Sequence, residues 1–341
     1  MQSLKVLAAM LLAVSHVASA AVEPVARHAL QAIPSQPVAS QTPEYVPPVP
    51  LLWKVSDGDS ALYLLGSFHL LKDGDYPLSE DVELAYADAE ALVFEISPEA
   101  LNDPAAPAKF LSAAAYDDNQ TLSKVLPPRL REKLRRLLAR QGGSIARVDG
   151  YEPWFVNLSL LMGLSQSLGF SAEQGLDRHL MARAGAEGKP ASGLEMFEDQ
   201  LRALDSIPME EQVVGLADFL DRPQEMPTTL AALHQAWRDG DIGALDALTR
   251  LEMLEKTPET YRTVNVARNE AWLPQLQARL EAPGDDDTLV VVGALHLLGE
   301  DGLVAQLRNK GYDVERICSA CEAVTSPGPE QPTTDPESPP L

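Results

Sequence analysis

Two histidines follow apolar stretches that nearly repeat each other in the sequence. The stretches are ALYLLGSFHLL at residues 61–71 and TLVVVGALHLL at residues 288–298. Each apolar run has the length and composition of a buried β-strand. Gly66 and Gly293 stand where each strand is expected to turn, because glycine adopts backbone angles that other residues avoid. The pattern predicts that His69 and His296 lie at strand ends, where open α/β sheets bind ligands. The alternative is a pair of strand-end histidines that bond only to backbone groups.

A carboxylate lies inside a third predicted strand, ALVFEIS at residues 91–97. Glu95 is flanked by apolar residues, and a buried carboxylate is costly unless a cation pairs with it. A metal ion or an arginine would serve. Together with His69 and His296, Glu95 forms a 2-His-1-carboxylate set, which leaves positions open for water and substrate. A divalent ion at such a site favours hydrolysis, because it polarises carbonyl groups and acidifies water.

Two further charged residues are candidates for the same chemistry. Glu195 stands at a predicted strand-to-helix junction, and Arg268 lies in the predicted helix at residues 263–280. Arg268 could stabilise a developing oxyanion, and Glu195 could act as a general base or as a partner that orients other groups. The chain has no G-x-S-x-G, P-loop or Rossmann glycine pattern. Serine-hydrolase and nucleotide-binding functions therefore lack support.

The order of predicted elements indicates an α+β fold. Predicted strands occur near the start and near the end of the chain, and mostly helical patterns fill residues 100–280. We therefore expect a central mixed β-sheet built from N- and C-terminal segments, with a large helical insertion at about residues 100–280. The insertion includes one short predicted strand that precedes the helix after Glu195.

The two ends of the chain have compositions unlike the middle. Residues 1–20 have one lysine, an apolar core and an Ala-x-Ala end, which predict a signal peptide cleaved after Ala20. Residues 21–50 are rich in proline and predict a linker, and residues 323–341 predict a disordered acidic tail. The folded domain is expected at residues 51–322. No further stretch is long and apolar enough to predict a membrane span, so we expect a periplasmic or secreted protein without a transmembrane segment after cleavage.

Charge and cysteine content limit the possible partners. The chain has 27 Lys and Arg against 50 Asp and Glu, a formal net charge of −23. Such an acidic balance argues against nucleic acid as a partner. Cys318 and Cys321 are close in sequence and favour a local disulfide in an oxidising compartment, with a redox or metal-binding role as the alternative.

Several motifs, taken in order, resemble the TraB/GumN family, which includes the Tiki metalloproteases and the PrgY pheromone-shutdown proteins. The motifs span about residues 51–318 and are LYLLGSFH, VFEIS, EPW, GLDRHLMARA, GKPASGLEMFEDQL, ARNEAW and VVVGALHLLGEDGL. The resemblance implies a metal-dependent active site at the two Gly-x-x-His motifs. Some relatives have a membrane anchor that this sequence lacks, which argues against a membrane-tethered role.

The resemblance also assigns residues. The residues that match the family's motifs are His69, Glu95 and His296 as metal ligands, and Glu195, Arg268 and Asn269 as catalytic groups. The implied activity is that of an exported metal-dependent hydrolase, a metallopeptidase acting on a peptide or protein, with manganese, cobalt or zinc as the ion. The alternative is a non-catalytic protein of the cell envelope that binds a peptide or a cofactor.

Overall fold

A computed structural model describes residues 45–117 and 119–321 of the chain. The predicted signal peptide, most of the predicted linker and the predicted tail lie outside these residues. The last linker residues, 45–50, form neither helix nor strand, but they lie against the folded domain. The Val49 N–H donates to the Arg238 carbonyl at 2.6 Å, and the Tyr45 hydroxyl donates to the Pro77 carbonyl at 2.6 Å.

A six-stranded mixed sheet forms the centre of the described structure. The strands are β1 (Leu52–Ser56), β2 (Ala61–Ser67), β3 (Ala91–Ile96), β4 (Ala191–Glu195), β5 (Thr288–Gly293) and β6 (Asp313–Arg316). Their order across the sheet is β4-β3-β5-β2-β1-β6. The four strands β4, β3, β5 and β2 are parallel to one another, whereas β1 is antiparallel to both of its neighbours.

Strand β5 joins the two ends of the chain. It lies between β2 and β3, with Ser67 opposite Gly293 and Phe94 opposite Val291. All residues of β2 and β5 are buried, as expected for central parallel strands that are covered on both faces. The α+β prediction, with a sheet built from N- and C-terminal segments around a mainly helical insertion, is confirmed.

Helices cover the sheet and form most of the insertion. They are α1 (Glu80–Asp88), α2 (Pro98–Leu101), α3 (Ala106–Ala113), α4 (Leu122–Val125), α5 (Pro128–Arg140), α6 (Pro153–Ser167), α7 (Leu176–Glu187), α8 (Phe197–Asp205), α9 (Met209–Asp221), α10 (Met226–Arg238), α11 (Ile242–Leu248), α12 (Arg250–Lys256), α13 (Pro258–Tyr261), α14 (Ala267–Leu280) and α15 (Leu303–Asn309). Short 3-10 helices occur at Asp73–Asp75, Ile145–Arg147 and Ala294–Leu297, and a π-helical turn at Arg262–Val266 precedes α14. None of the helices within the described ranges is long and apolar enough to cross a membrane.

The glycines of the two Gly-x-x-His motifs have a different role from the one expected. Neither Gly66 nor Gly293 has a left-handed backbone conformation, and Gly293 has an ordinary φ of −51°. The expectation of special backbone angles was therefore wrong. Space is tight at Gly66, because an added Cβ atom would lie 3.1 Å from the Cβ of Leu51 and 3.2 Å from the Cβ of Ala294, so these neighbours would have to shift.

The two cysteines lie after the last strand. Cys318 and Cys321 are joined by a disulfide, as the local pairing predicted. The segment is held to the domain by Ser319, whose backbone N–H donates to Asp81 at 2.8 Å.

Candidate functional site

The carboxyl ends of four parallel strands meet at one edge of the sheet. His69 follows β2, Glu95 lies near the end of β3, Glu195 ends β4 and His296 follows β5. Parallel strands place their carboxyl ends at the same edge, which is where open α/β sheets bind ligands. The fold therefore brings together four of the six residues that the sequence singled out, and helix α14 adds the other two, Arg268 and Asn269.

His69 is held by a carboxylate from helix α7. Its Nδ1 atom lies 2.7 Å from Asp177 Oδ2, and the Ser67 hydroxyl donates to Asp177 Oδ1 at 3.0 Å. Because Asp177 is an acceptor, Nδ1 carries the proton, and in the neutral ring Nε2 has the lone pair. Burial alone would lower the pKa of His69, but the negative charges and hydrogen bond of Asp177, assisted by Glu95, raise it overall.

His296 is held by an amide instead of a carboxylate. Its Nδ1 atom lies 2.7 Å from Asn269 Oδ1. The Asn269 amide nitrogen donates to the carbonyls of His296 at 3.2 Å and Asp301 at 2.9 Å, which fixes the amide with its oxygen toward the ring. His296 Nδ1 is therefore the donor and Nε2 has the lone pair. Complete burial, followed by the positive charges of Arg268 and His69, keeps the pKa of His296 well below its usual value.

Glu95 lies next to the imidazole rings of both His69 and His296. Its Oε1 atom lies 3.9 Å from His69 Nε2 and 3.8 Å from His296 Nε2, and it accepts from the Gly293 N–H at 2.7 Å. Its Oε2 atom accepts from Arg268 Nη2 at 2.7 Å. The sequence predicted that a buried carboxylate on β3 needs a metal ion or an arginine, and the partner within the chain is the arginine.

Arg268 connects Glu195 to the histidine cluster, which consists of His69, Glu95 and His296. Nε and Nη2 donate to Glu195, Nη2 also donates to Glu95, and Nη1 donates to the Val264 carbonyl at 3.0 Å and to His296 Nε2 at 3.2 Å. A guanidinium has five N–H groups, so every donor has an acceptor in this arrangement. Burial alone would lower the pKa of Arg268, but Glu195 and Glu95 outweigh it and raise the pKa.

The π-helical turn before α14 helps to place this arginine. A π-turn pairs a carbonyl with the N–H five residues ahead instead of four, so the local backbone ladder is displaced. Within this displaced segment the Val264 carbonyl, four residues before Arg268, accepts from the Arg268 side chain. Single π-turns occur frequently at functional sites.

Glu195 is a fully bonded carboxylate. Oε1 accepts from Arg268 Nη2 at 2.6 Å, and Oε2 accepts from the Trp272 indole N–H at 3.1 Å. Burial raises the pKa of Glu195, and the charge of Arg268 opposes that rise. With both oxygens bonded, Glu195 is placed to orient Arg268 and Trp272. The Trp272 ring also packs on His296, with ring centroids 4.5 Å apart.

The donor atoms fit a divalent ion in type. Two imidazole Nε2 atoms and one carboxylate face each other, and the opposite nitrogen of each ring is held by a hydrogen-bond acceptor, as in many metal sites. The spacing is wider than in a loaded site, because tetrahedral ligands with bonds of about 2.1 Å lie about 3.4 Å apart. In residues 45–117 and 119–321 no group of three His, Cys, Asp or Glu side chains has the arrangement of a preassembled metal site. An ion would have to draw the three groups closer and compete with Arg268.

A surface pocket ends at the arginine–glutamate pair. It has a volume of about 450 Å³ and lies between the end of β4, helix α8 and helix α14. Glu195, Arg268 and Trp272 line it, whereas His69, Glu95 and His296 do not. The pair therefore separates the pocket from the histidine cluster, which is 3% exposed at His69 and 0% at His296.

The sequence identified six residues of the site but not Asp177, the partner of His69. Asp177 lies in the GLDRHLMARA motif, to which the sequence assigned no role, yet it bonds both His69 and Ser67. The one signal in the sequence was a glycine, Gly175, two residues earlier. In the structure this glycine allows a close approach, because an added Cβ would lie 2.3 Å from the His69 carbonyl oxygen. His179, on the same helix, stacks on Tyr76 and lies outside the cluster.

Comparisons with known proteins agree with the motifs. The TraB/PrgY/gumN family model matches residues 51–316. The chain is 27% identical to the uncharacterized protein YbaP of Escherichia coli (strain K12) over 259 residues, which are 74% of this chain and 89% of YbaP. The uncharacterized protein YbaP of Shigella flexneri gives the same identity and coverage. No solved structure matches the chain significantly.

Proposed function

The chain belongs to the TraB/PrgY/gumN family, and on this basis we propose that it is a metal-dependent hydrolase in which His69, Glu95 and His296 hold the ion. The main support is that His69 Nε2 and His296 Nε2 lie 3.9 Å and 3.8 Å from one oxygen of Glu95. Manganese, cobalt and zinc are the candidate ions. When bound, such an ion supplies a Lewis acid that polarises a carbonyl group and acidifies water.

The residues around the three ligands have separate roles in this proposal. Asp177 and Asn269 fix the tautomer and direction of the two rings, so that both Nε2 lone pairs face Glu95. Arg268 stabilises the negative charge that develops on a substrate carbonyl oxygen. All its donors are bonded in this structure, so contact with substrate requires that one N–H leave its acceptor. Glu195 orients Arg268, because both of its oxygens already accept hydrogen bonds.

We also propose that the substrate is a peptide or protein and that the enzyme acts outside the cytoplasm. The first proposal follows from the family resemblance to the Tiki metalloproteases and from a pocket that reaches Arg268 from the surface. The second follows from the N-terminal sequence, which has the pattern of a cleaved signal peptide. Cell fractionation and N-terminal sequencing should find a mature protein that begins at Ala21.

A non-catalytic binding protein is the second candidate function. One observation favours it: the Arg268–Glu195 pair closes the inner end of the pocket, and the histidines lie behind this pair. A binder of a peptide or cofactor would use the same pocket and leave its ligand intact. Mass spectrometry of candidate peptides after long incubation distinguishes turnover from capture.

The test is metal analysis of the purified mature protein, combined with a peptide-library cleavage assay. We expect about one manganese, cobalt or zinc ion per chain after loading, and loss of both ion and cleavage in His69→Ala and His296→Ala. His179→Ala is the matched control, since His179 stacks on Tyr76 outside the cluster. Absence of a stoichiometric ion in the unmutated protein would contradict the proposal. Cleavage that survives in His296→Ala would contradict the assignment of the ligands.

A further inference from the structure

The pocket beside helix α14 has apolar walls and an ion pair at its inner end. Its apolar lining residues are Leu194, Ala203, Ala267, Ala271 and Trp272. The three alanines are small and come from two facing helices, α8 and α14, so they leave a cleft between the helices. A volume of about 450 Å³ is within the range of about 300–1,000 Å³ that is typical of ligand sites.

The charges that line this pocket cancel. Glu195 and Asp199 are balanced by Arg268 and Arg202, and each carboxylate is bonded to one of these arginines. The Arg202–Asp199 pair is exposed to solvent, whereas the side chains of Arg268 and Glu195 are 6% and 7% exposed. A charged ligand group at this inner end would have to replace the Arg268–Glu195 pair, and burial of an unpaired charge is costly. The lining therefore favours an uncharged group.

A second cavity adjoins the first across the end of β4. It has a volume of about 410 Å³ and shares Leu194, Glu195 and Asp199 with the first cavity. Met196 also lines it, with 67% of its surface exposed, and a flexible thioether adapts well to different contact surfaces. Two adjacent cavities on either side of one segment fit an extended chain better than a compact small molecule. Ser206 and Thr263, which also line the first cavity, have hydroxyl groups that can bond to peptide groups.

We propose that the alanine-lined pocket is the specificity pocket of the enzyme and takes an uncharged, apolar side chain of an extended peptide. This inference rests on the proposed hydrolase function for its catalytic meaning, but the binding itself requires no turnover. Ala203, Ala267 and Ala271 set the width of the pocket, and Trp272 forms its inner wall beside Arg268. Medium-sized aliphatic side chains such as leucine are the expected occupants.

Binding is tested with blocked amino acids as probes. N-acetyl-leucinamide is titrated into ¹⁵N-labelled mature protein, and the indole N–H signal of Trp272, assigned with Trp272→Phe, is the readout. We expect N-acetyl-leucinamide to shift this signal. The smaller, uncharged N-acetyl-glycinamide and the charged α-amide of N-acetyl-aspartate should bind with about tenfold lower affinity. Equal binding of all three probes would overturn the inference.

A matched pair of variants tests the position of the pocket. Ala271→Leu fills the cleft and should weaken N-acetyl-leucinamide binding by about tenfold or more. Ala278→Leu is on the same helix at an exposed position and does not line the pocket, so binding should be unchanged. Binding that is unaffected by Ala271→Leu would contradict the proposed site.

Cleavage profiles separate this inference from the proposed function. If the peptide library shows cleavage, Ala271→Leu should shift the preference from leucine toward alanine and glycine at one substrate position. Cleavage without any apolar preference would overturn the specificity pocket and leave the hydrolase proposal standing. Probe binding at Trp272 without cleavage of any peptide would support the pocket and contradict the hydrolase proposal.

Discussion

At the scale of single residues, Arg268 is both a partner and a competitor of the proposed metal site. Nη1 donates to His296 Nε2 and Nη2 donates to Glu95 Oε2, and these are groups that a metal ion would use. A positive charge beside a cation site also weakens cation binding by Coulomb repulsion. Arg268 thus bonds two of the three proposed ligands, His296 and Glu95, and ion binding must displace these two hydrogen bonds.

We predict that Arg268→Gln binds manganese, cobalt or zinc about tenfold or more tightly than the unmutated protein, because repulsion and competition are both removed. Isothermal titration calorimetry on protein stripped of metal measures the change, and circular dichroism verifies that the variant is folded. Arg202→Gln is the control, because Arg202 pairs with Asp199 at the pocket rim. Weaker metal binding in Arg268→Gln would show that Arg268 holds the ligands in place instead of competing with the ion.

Asp218 gives a prediction at residue scale that is independent of the site. It is 7% exposed, its Oδ2 atom has no hydrogen-bond partner, and burial raises its pKa from 3.8 to about 6 despite the nearby Lys256 and Arg222. At the same pH, the carboxyl group of Asp218 is therefore protonated to a greater extent in the folded state than in the unfolded state. Its contribution to stability is complete below pH 3.8 and is lost as the pH rises through about 6.

We therefore predict that Asp218→Asn increases the free energy of unfolding at pH 8 and has little effect near pH 4. Because one pKa unit corresponds to about 1.4 kcal/mol, the shift to about 6, which already includes the attraction of Lys256 and Arg222, limits the gain to about 3 kcal/mol. Urea unfolding at the two pH values measures it. An effect of equal size at both pH values would contradict the assigned cause.

At the scale of elements, the site depends on how closely helix α7 approaches the loop after β2. Gly175 precedes this helix, and the helix places Asp177 against His69. The backbone of the loop leaves no room for a side chain at position 175, because an added Cβ would lie 2.3 Å from the His69 carbonyl oxygen. Glycine at position 175 is therefore needed for helix α7 to approach the loop closely enough to place Asp177 against His69.

Gly175→Ala should lower the free energy of unfolding by about 1–3 kcal/mol, because the clash is with backbone and forces the helix or the loop to shift. The affinity for the metal ion should also fall in Gly175→Ala, because Asp177 orients His69. Gly185→Ala is the matched control on the same helix, where nothing lies within 4 Å of an added Cβ, and it should stabilise the helix by up to about 1 kcal/mol. Thermal unfolding of both variants tests the difference. Equal effects would exclude the spacing argument.

The elements also show what the sequence can predict and what it cannot. His69, His296 and Glu95 were found because each lies in or directly after a strand whose apolar pattern is local. Arg268 was a candidate because of its charge and the family resemblance added Asn269. The π-turn before them has no local signal that distinguishes it from an α-helix. The pairing of Asp177 with His69 joins residues 108 positions apart. Such a pairing depends on helix packing, which periodicity does not reveal.

At the scale of the whole molecule, the proposed metal ligands come from both ends of the fold. His69 and Glu95 belong to the N-terminal strands, and His296 follows β5, which lies between them in the sheet. An unfolded chain does not hold these three groups together, so an ion that binds the site must stabilise the folded state. Metal binding and global stability are therefore coupled.

We predict that an ion at 100 times its dissociation constant adds about 2.7 kcal/mol to the free energy of unfolding. In a folded domain of about 270 residues, with an unfolding entropy of about 2.1 cal/mol/K per residue, that gain corresponds to a rise in Tm of roughly 5 °C, measured by calorimetry. The rise should be absent in His69→Asn and His296→Asn and present in His179→Asn. The acidic surface, with a net charge of −23, offers a competing cause, because divalent ions screen its self-repulsion. Calcium and magnesium would produce that effect equally in all variants, whereas only occupation of the histidine cluster depends on His69 and His296.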